Sequence, residues 1–303
     1  MSRYEIKANL SEKQIESDVS GFFGWMSKGS PYRLLDIDEQ LTGADKKFYD
    51  SGFAFFMQFK VSKGLEPASK ITPSTRRNRS PLESVREFRQ KHGLEDDPTL
   101  YFGLRAMAKN ATDFQHNILM EYANQKFSQA FYVAPLHLDK DEYYNCLFDS
   151  ANRFRAHPYD YKRYKLYRRD WMSHVGNVPF LKEHVSIVPH ERVSTHKHHY
   201  SYSGTGCGIG WHSPEVISER PNRLSDVLKK EINSCIVENR LLNLYELSEK
   251  LVKDFDQEAR QQHDEPLERI QDWARKIYSQ HRVRMFLFLG NREITERCSE
   301  LYA

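Results

Sequence analysis

The first half of the chain alternates between helical and strand spacing of its apolar residues. Residues 11–27 place apolar side chains three or four positions apart behind a serine that can cap a helix, which predicts an amphipathic helix. Residues 33–41, 45–49 and 53–61 predict three successive strands, and the last has the strongest strand pattern in the chain. The later elements are predicted as a helix at 81–92, a strand at 100–104, a helix at 113–124, a strand at 130–136 and a helix at 139–150. This order predicts a mixed α/β fold.

Beyond residue 150 the pattern changes. Residues 153–213 are rich in Tyr, His and Gly and show no regular period, whereas residues 224–280 place leucines at helical spacing. One late strand is predicted at 283–289. We therefore expect an α/β domain over residues 1–220, followed by a mainly helical region over residues 221–303.

Charge and cysteine content narrow the class of protein. The 303 residues carry 45 Lys and Arg against 42 Asp and Glu, a formal net charge of +3, so affinity for phosphate has to come from local clusters. The four cysteines form no Cys-x-x-Cys pair, which is typical of reduced thiols. The N-terminal residues include no apolar signal-peptide core, and no run approaches the roughly 18–20 apolar residues of a membrane span. We expect a soluble, cytoplasmic protein.

One stretch, LTGADKKFYDSGFAFFMQFK, places polar groups in a strand that is otherwise bulky and apolar. Its Asp-Ser-Gly sequence predicts a hairpin turn centred on residues 51–52. Position 45 then faces position 58. Because opposed residues share a face and strands alternate with period two, we expect Asp45, Gln58 and Lys60 on one face. Continuing back through the Thr-Gly turn brings Glu39 opposite Asp45.

These four polar groups suit a divalent cation and a phosphate. Two carboxylates and an amide oxygen form a hard, oxygen-only site for Mg²⁺ or Mn²⁺, with Glu39, Asp45 and Gln58 as the metal ligands. A lysine beside such a cation, here Lys60, can position a water or stabilise charge on a phosphoryl oxygen. The alternative is an edge hairpin whose polar side chains face water.

The arrangement D-x(12)-Q-x-K, with an acidic residue just upstream, resembles the PD-(D/E)XK nuclease superfamily. The predicted order of elements is similar to the α-β-β-β-α-β core of that family, over roughly residues 10–140. The phrases L-T-G-A-D and Q-x-K resemble those of bacterial nucleases with a glutamine variant of the motif. The resemblance implies a restriction-endonuclease-like α/β core to which the helical C-terminal region is added.

The same resemblance implies an activity and a setting. The activity is Mg²⁺- or Mn²⁺-dependent endonuclease hydrolysis of phosphodiester bonds, with DNA favoured over RNA as the substrate. The role it implies is defence against phage or foreign DNA. A regulatory protein partner or a homo-oligomer is expected, and a membrane is not.

Carried over by position, the resemblance makes Asp45 the central metal ligand and Lys60 the catalytic lysine. Gln58 departs from the family pattern, in which Glu or Asp is commoner, so a second carboxylate has to compensate. Glu39 is the first choice, and Glu16 or Asp18 on the first helix is the alternative. If none of these completes the site, the rival hypothesis is a catalytically inactive module of the same fold that binds nucleic acid or a partner protein.

Two basic segments are expected to bind nucleic acid. Residues 62–80 combine turn formers with positive charge and predict a long loop, whose arginines can contact a phosphate backbone. Residues 153–169 interleave basic side chains with tyrosines, a pattern suited to phosphate contact and base stacking. The residues expected to contact nucleic acid are Arg76, Arg77, Arg79, Lys162 and Arg163. The alternatives are a solvated loop and a basic, tyrosine-rich strand pair.

Overall fold

The computed structural model describes residues 4–26, 33–37, 49–70, 81–109, 111–155, 179–212, 215–253 and 265–291. Its helices are α1 (Glu12–Met26), α2 (Pro81–Lys91), α3 (Gln115–Ala123), α4 (Lys140–Arg155), α5 (Pro179–Lys182), α6 (Leu224–Val237), α7 (Leu244–Lys253) and α8 (Pro266–His281). Its strands are β1 (Glu5–Ile6), β2 (Arg33–Asp36), β3 (Ser51–Phe59), β4 (Lys63–Leu65), β5 (Thr99–Gly103), β6 (Ser128–Pro135), β7 (His184–Ile187), β8 (His199–Ser203), β9 (Ile209–Trp211), β10 (Glu215–Ser218), β11 (Leu242–Asn243) and β12 (Arg284–Gly290). The α/β class predicted from the sequence is confirmed.

The strands form two sheets. The first has the order β1-β4-β5-β8-β9-β10, and each neighbouring pair in it is antiparallel. The second has the order β2-β12-β3-β6-β7, with β11 paired to β3. Within this second sheet β3 and β6 run parallel, whereas β12 is antiparallel to both β2 and β3. The second sheet is therefore mixed, and the candidate site lies at the end of its parallel pair.

Strand β3 is the centre of the second sheet and is buried at every position. Phe53, Phe55 and Met57 pack in a cluster with α1, α5 and α6 on one face of the sheet. Ala54 and Phe56 pack on the other face in a second cluster, with α3, α7, α8 and side chains of the first sheet. Apolar side chains on both faces are typical of a strand covered on both sides. The second sheet is thus the middle of three layers.

The predicted hairpin centred on residues 51–52 is wrong. Ser51 and Gly52 belong to β3, and both edges of this strand are occupied, since Phe53 pairs with Phe288 of β12 and Ala54 pairs with Ser128 of β6. The place expected for the strand at 45–49 beside β3 is therefore taken by β12. The physical reason is burial on both faces, because β12 is apolar throughout its middle whereas residues 45–49 carry consecutive lysines.

Gly52 serves close packing rather than a turn. A side-chain carbon added there would lie 3.2 Å from a methyl of Leu247, 3.3 Å from one of Leu289 and 3.4 Å from one of Leu244. The Asp-Ser-Gly pattern that signals a turn is therefore explained by the leucines of α7 and β12 that close over this position.

The predicted loop at 62–80 begins later than expected. Lys63–Leu65 forms β4, paired with β1 on one side and β5 on the other. Gly64 lies at a crowded crossing, where an added carbon would be 2.6 Å from Leu138 Cδ1 and 2.9 Å from Ile6 Cβ. The glycine that resembled a loop residue is thus required by the approach of a neighbouring strand.

This crowding generates a stability prediction. We expect Gly64→Ala to lower the free energy of unfolding by about 1–3 kcal/mol, because Ile6 is branched at the contacting carbon and cannot withdraw. Gly21, inside α1 and exposed, is the matched control, since nothing lies within 4 Å of its added carbon. Gly21→Ala is expected to raise stability by about 1 kcal/mol through helix propensity. Urea unfolding of both variants measures this, and equal effects would contradict the packing at Gly64.

Candidate functional site

The structure describes two of the residues expected to form the active site, Gln58 and Lys60. The expected carboxylate ligands and nucleic-acid contacts lie outside the described residues, and their roles stay predictions. These residues are Glu39, Asp45, Arg76, Arg77, Arg79, Lys162 and Arg163. The site is therefore built from the end of β3 outward.

Gln58 and Lys60 reach the same partner, which confirms that they share a face. The Gln115 side chain donates through Nε2 to Gln58 Oε1 and accepts through Oε1 from Lys60 Nζ at 3.4 Å. Gln115 Nε2 also donates to the backbone carbonyl of His281, and Gln58 Nε2 donates to the carbonyl of Phe59 at 2.9 Å. The two residues from the motif are thus joined by a buried glutamine network between β3 and the first residue of α3.

The Lys60 ammonium is buried among neutral groups. Its side chain belongs to a residue that is 5 % exposed, and its Nζ lies 5.8 Å from the ring centroid of Tyr132. In the part of the chain that the structure describes, no carboxylate forms an ion pair with it. Burial lowers the pKa of Lys60 from its ordinary value of 10.5 to about 8, an effect that the nearby Glu12 opposes and Arg105 reinforces. A buried cation of this kind lowers the stability of the folded protein unless an anion binds beside it.

The local backbone adds positive potential around Lys60. Helix α3 begins at Gln115, so the positive end of its dipole lies at the glutamine network. Lys60 itself is held by its backbone, because its amide donates to the carbonyl of Val133 at 2.9 Å and extends the β3–β6 ladder by one residue. A lysine on a fixed backbone next to a helix N-terminus favours an anion.

Lys60 lines a cavity of 670 Å³ between the end of β3, the start of α1 and the first sheet. The residues that line it are Glu5, Glu12, Lys60, Val61, Lys63, Leu82, Tyr101, Phe102, Gly103, Arg105 and His199. Its size is that of a small-ligand pocket, roughly 300–1,000 Å³. The buried ammonium is therefore next to a space that a ligand can enter.

The alternative acids on α1 lie elsewhere. Glu16 Oε1 accepts from Arg284 Nε at 2.6 Å, and Arg284 is opposite Met57, on the face of the sheet that Gln58 does not share. Asp18 Oδ1 accepts from Gln14 Nε2 at 2.9 Å, and burial raises the pKa of Asp18. Neither carboxylate contacts Gln58 or Lys60. Glu16 and the candidate site therefore lie on opposite faces of the second sheet.

Three residues of the site escaped the motif-based interpretation. Gln115 opens a helix that the sequence predicts, but an isolated glutamine there carries no signal of its own. Glu12 and Arg105 lie in different segments and come near Lys60 only through folding. An alternation argument along β3 reaches Gln58 and Lys60 and cannot reach these partners, since it is local to one strand.

The arrangement can bind and stabilise an oxyanion. A desolvated ammonium with one weak hydrogen bond keeps donors free for an incoming phosphate oxygen, and a pKa of about 8 allows it to hold or release a proton near neutral pH. The amide oxygen of Gln115 accepts from Lys60 Nζ, and the amide oxygen of Gln58 accepts from Gln115 Nε2. Among the described residues, no group of three or more His, Cys, Asp or Glu is arranged to hold a metal ion.

The chain was compared with protein-family models, with curated proteins and with solved structures, and none of these comparisons finds a match. None of the described helices combines the length and apolar character that crossing a bilayer requires.

The buried ammonium predicts a trade between stability and function. Lys60→Met should raise the free energy of unfolding at pH 7 by about 2 kcal/mol. The pKa difference between 10.5 and about 8 corresponds to about 3 kcal/mol of destabilisation by the charge. Lys60→Met also leaves Gln115 Oε1 without the donor at Lys60. This loss costs about 1 kcal/mol and reduces the net stabilisation to about 2 kcal/mol.

The difference in stability between wild type and Lys60→Met should depend on pH. Below pH 8 lysine is protonated in both states and its penalty is fully present. Between about pH 8 and 10.5 the folded protein loses this proton first, so wild-type stability rises towards that of Lys60→Met. Lys230→Met is the control, because Lys230 is exposed on α6, and this substitution should change stability by less than about 0.5 kcal/mol. Urea unfolding from pH 7 to 10 measures both variants, and a destabilised Lys60→Met at pH 7 would contradict the buried, unpaired charge.

Proposed function

We propose that this protein is a metal-dependent nuclease that hydrolyses phosphodiester bonds, in DNA rather than RNA. The observation that carries the proposal is the Lys60 ammonium, which is buried beside a cavity and has the neutral side chain of Gln115 as its hydrogen-bonding partner among the described residues. A stabilising role does not account for such a group, since burial of its charge opposes folding. The similarity of its sequence context to the PD-(D/E)XK motif supports the same role.

In this proposal Lys60 binds the scissile phosphate. Its Nζ donates to a non-bridging phosphoryl oxygen, and the phosphate supplies the negative charge that the lysine lacks. As negative charge grows on that oxygen in the transition state, the hydrogen bond strengthens, because the site is shielded from water. Gln115 keeps the ammonium in place, while the positive end of α3 adds to the field.

The proposal places a divalent cation at this end of β3. Gln58 offers an amide oxygen, which suits Mg²⁺ or Mn²⁺, and the proposal adds the carboxylates of Glu39 and Asp45 to complete an oxygen-only set. A bound cation would neutralise charge on the phosphoryl group. The Gln58 oxygen at present accepts from Gln115, so Gln115 would orient that ligand from behind.

The second candidate is a module of the same fold that binds nucleic acid or a protein without cleaving it. Gln58 favours this candidate, because it is uncharged and both ends of its amide are used in hydrogen bonds inside the fold. Such a module would keep its affinity for DNA in chelator, with a steep dependence on salt.

Cleavage assays separate the two candidates. We expect wild-type protein to cleave DNA in Mg²⁺ or Mn²⁺ but not in EDTA, and Asp45→Ala and Lys60→Met each to lower the rate by about 100-fold or more. Supercoiled DNA, linear DNA and RNA are the substrates. Because Lys60→Met is expected to be more stable than wild type, its loss of activity cannot be assigned to misfolding. Metal-dependent cleavage that survives in Lys60→Met would rule out the catalytic lysine.

Metal binding tests Gln58 directly. Gln58→Glu restores the acidic residue common in the family and should tighten Mn²⁺ binding by about tenfold through the added charge. Gln90→Glu, which adds the same charge at an exposed position on α2, should leave the affinity unchanged. Calorimetric titration with Mn²⁺ measures both. Equal affinities in Gln58→Glu, Gln90→Glu and wild type would remove Gln58 from the metal site.

A further inference from the structure

The cavity beside Lys60 contains charges that are already paired and charges that are not. Glu5 is engaged within the fold, since the Tyr101 hydroxyl donates to its Oε1 at 2.6 Å and Lys63 Nζ lies 3.2 Å from the same oxygen. These contacts lower the pKa of Glu5, with the Tyr101 hydrogen bond as the largest cause. Glu5 and Lys63 therefore neutralise one another and leave the binding chemistry to other groups.

Three charged side chains remain for a ligand. Across the described ranges, Arg105 and Glu12 form no side-chain hydrogen bond or ion pair, and Lys60 has the single long hydrogen bond to Gln115. Lys60 is also the one that is buried, so it marks the inner end of the cavity, whereas Arg105 and Glu12 are exposed at its mouth. The unpaired charge is two cations and one carboxylate.

The rest of the cavity wall is apolar or neutral. Val61, Leu82 and Phe102 supply apolar surface, and burial lowers the pKa of His199, which favours the neutral ring. At Gly103 an added carbon would lie 3.3 Å from the His199 ring. A side chain at position 103 would therefore crowd His199 at this point of the wall.

We propose that this cavity binds one unpaired nucleotide of the substrate, so that the protein acts on single-stranded DNA or on strands with unpaired ends. The phosphate of that nucleotide lies between Lys60 and Arg105. Its sugar and base lie against the apolar wall. Glu12 accepts a hydrogen bond from an N–H group of the base or from a terminal hydroxyl of the nucleotide. This inference rests on the proposed nuclease function and names its class of substrate.

The size and charge of the cavity favour one nucleotide over a duplex. A cavity of 670 Å³ is a small-ligand space, whereas duplex recognition spreads over roughly 1,000–2,500 Å² of protein surface. Duplex binding also engages about 6–10 phosphates with as many basic groups, while this cavity offers two unpaired cations. A single phosphate with its sugar and base matches both the volume and the charge.

Binding measured in EDTA tests the site without cleavage. The probes are a fluorescently labelled, 5′-phosphorylated ten-nucleotide thymidine strand and a blunt duplex of the same length, with thymidine 5′-monophosphate and inorganic phosphate as competitors. We expect the single strand to bind more tightly than the duplex, and the monophosphate to compete better than inorganic phosphate. Arg105→Gln should weaken single-strand binding by about tenfold, as for loss of a charge-assisted hydrogen bond.

Glu12→Gln should change the affinity for the single strand in the opposite direction to Arg105→Gln. The substitution removes the repulsion between the carboxylate and the phosphate, while the amide oxygen of the glutamine can still accept the hydrogen bond from the nucleotide. Affinity for the single strand should therefore rise by about twofold to fivefold, the scale of an exposed charge pair. Lys230→Gln, exposed on α6, is the control for loss of charge and should change nothing. Opposite effects of two substitutions in one cavity cannot come from general loss of folding.

The outcomes separate this inference from the nuclease proposal. Binding that follows these rules without cleavage in Mg²⁺ or Mn²⁺ would support the nucleotide site and remove the nuclease activity. Metal-dependent cleavage together with equal binding of duplex and single strand, unchanged in Arg105→Gln, would support the nuclease and overturn the nucleotide site.

Discussion

The structure depends on the burial of β3 on both of its faces. A strand with phenylalanines pointing in both directions has to be covered by two layers and flanked by strands that are equally apolar. Helices α1, α5 and α6 cover one face, and α3, α7 and α8 cover the other. Strands β12 and β6 take its two edges. Most of the larger apolar elements of the chain are thus organised around this strand.

The candidate site begins where that cover ends. Lys60 follows the last residue of β3 and keeps the ladder through its backbone, but its side chain brings a charge into a region built for apolar groups. The ammonium contacts the side-chain amide of Gln115 and the ring of Tyr132. Neither supplies the negative charge that would stabilise it. A ligand that brings that charge therefore gains binding energy at this place, which links the cost in stability to a function.

The two faces of the second sheet treat charge differently. On the α1 face, the partly buried Arg284 pairs with Glu16 and lies within 3.5 Å of Asp36, so this cation has carboxylate partners inside the fold. On the α3 face, the hydrogen-bonding partner of Lys60 among the described residues is the neutral amide of Gln115. A paired cation is consistent with a structural role, whereas a cation without a carboxylate partner beside a cavity is what the proposed binding function requires.

The sequence by itself determined the α/β class, most of the helices, five of the twelve described strands (β2, β3, β5, β6 and β12), and the shared face of Gln58 and Lys60. Each of these follows from local periodicity, which needs no knowledge of distant residues. Tertiary structure alone decided that β12 pairs with β3, that Gly52 and Gly64 serve close packing, and that Gln115, Glu12 and Arg105 come near Lys60. Backbone hydrogen bonds are the same for every strand. The choice of neighbour therefore depends on which distant segment can be buried on both faces, and that competition involves the whole chain.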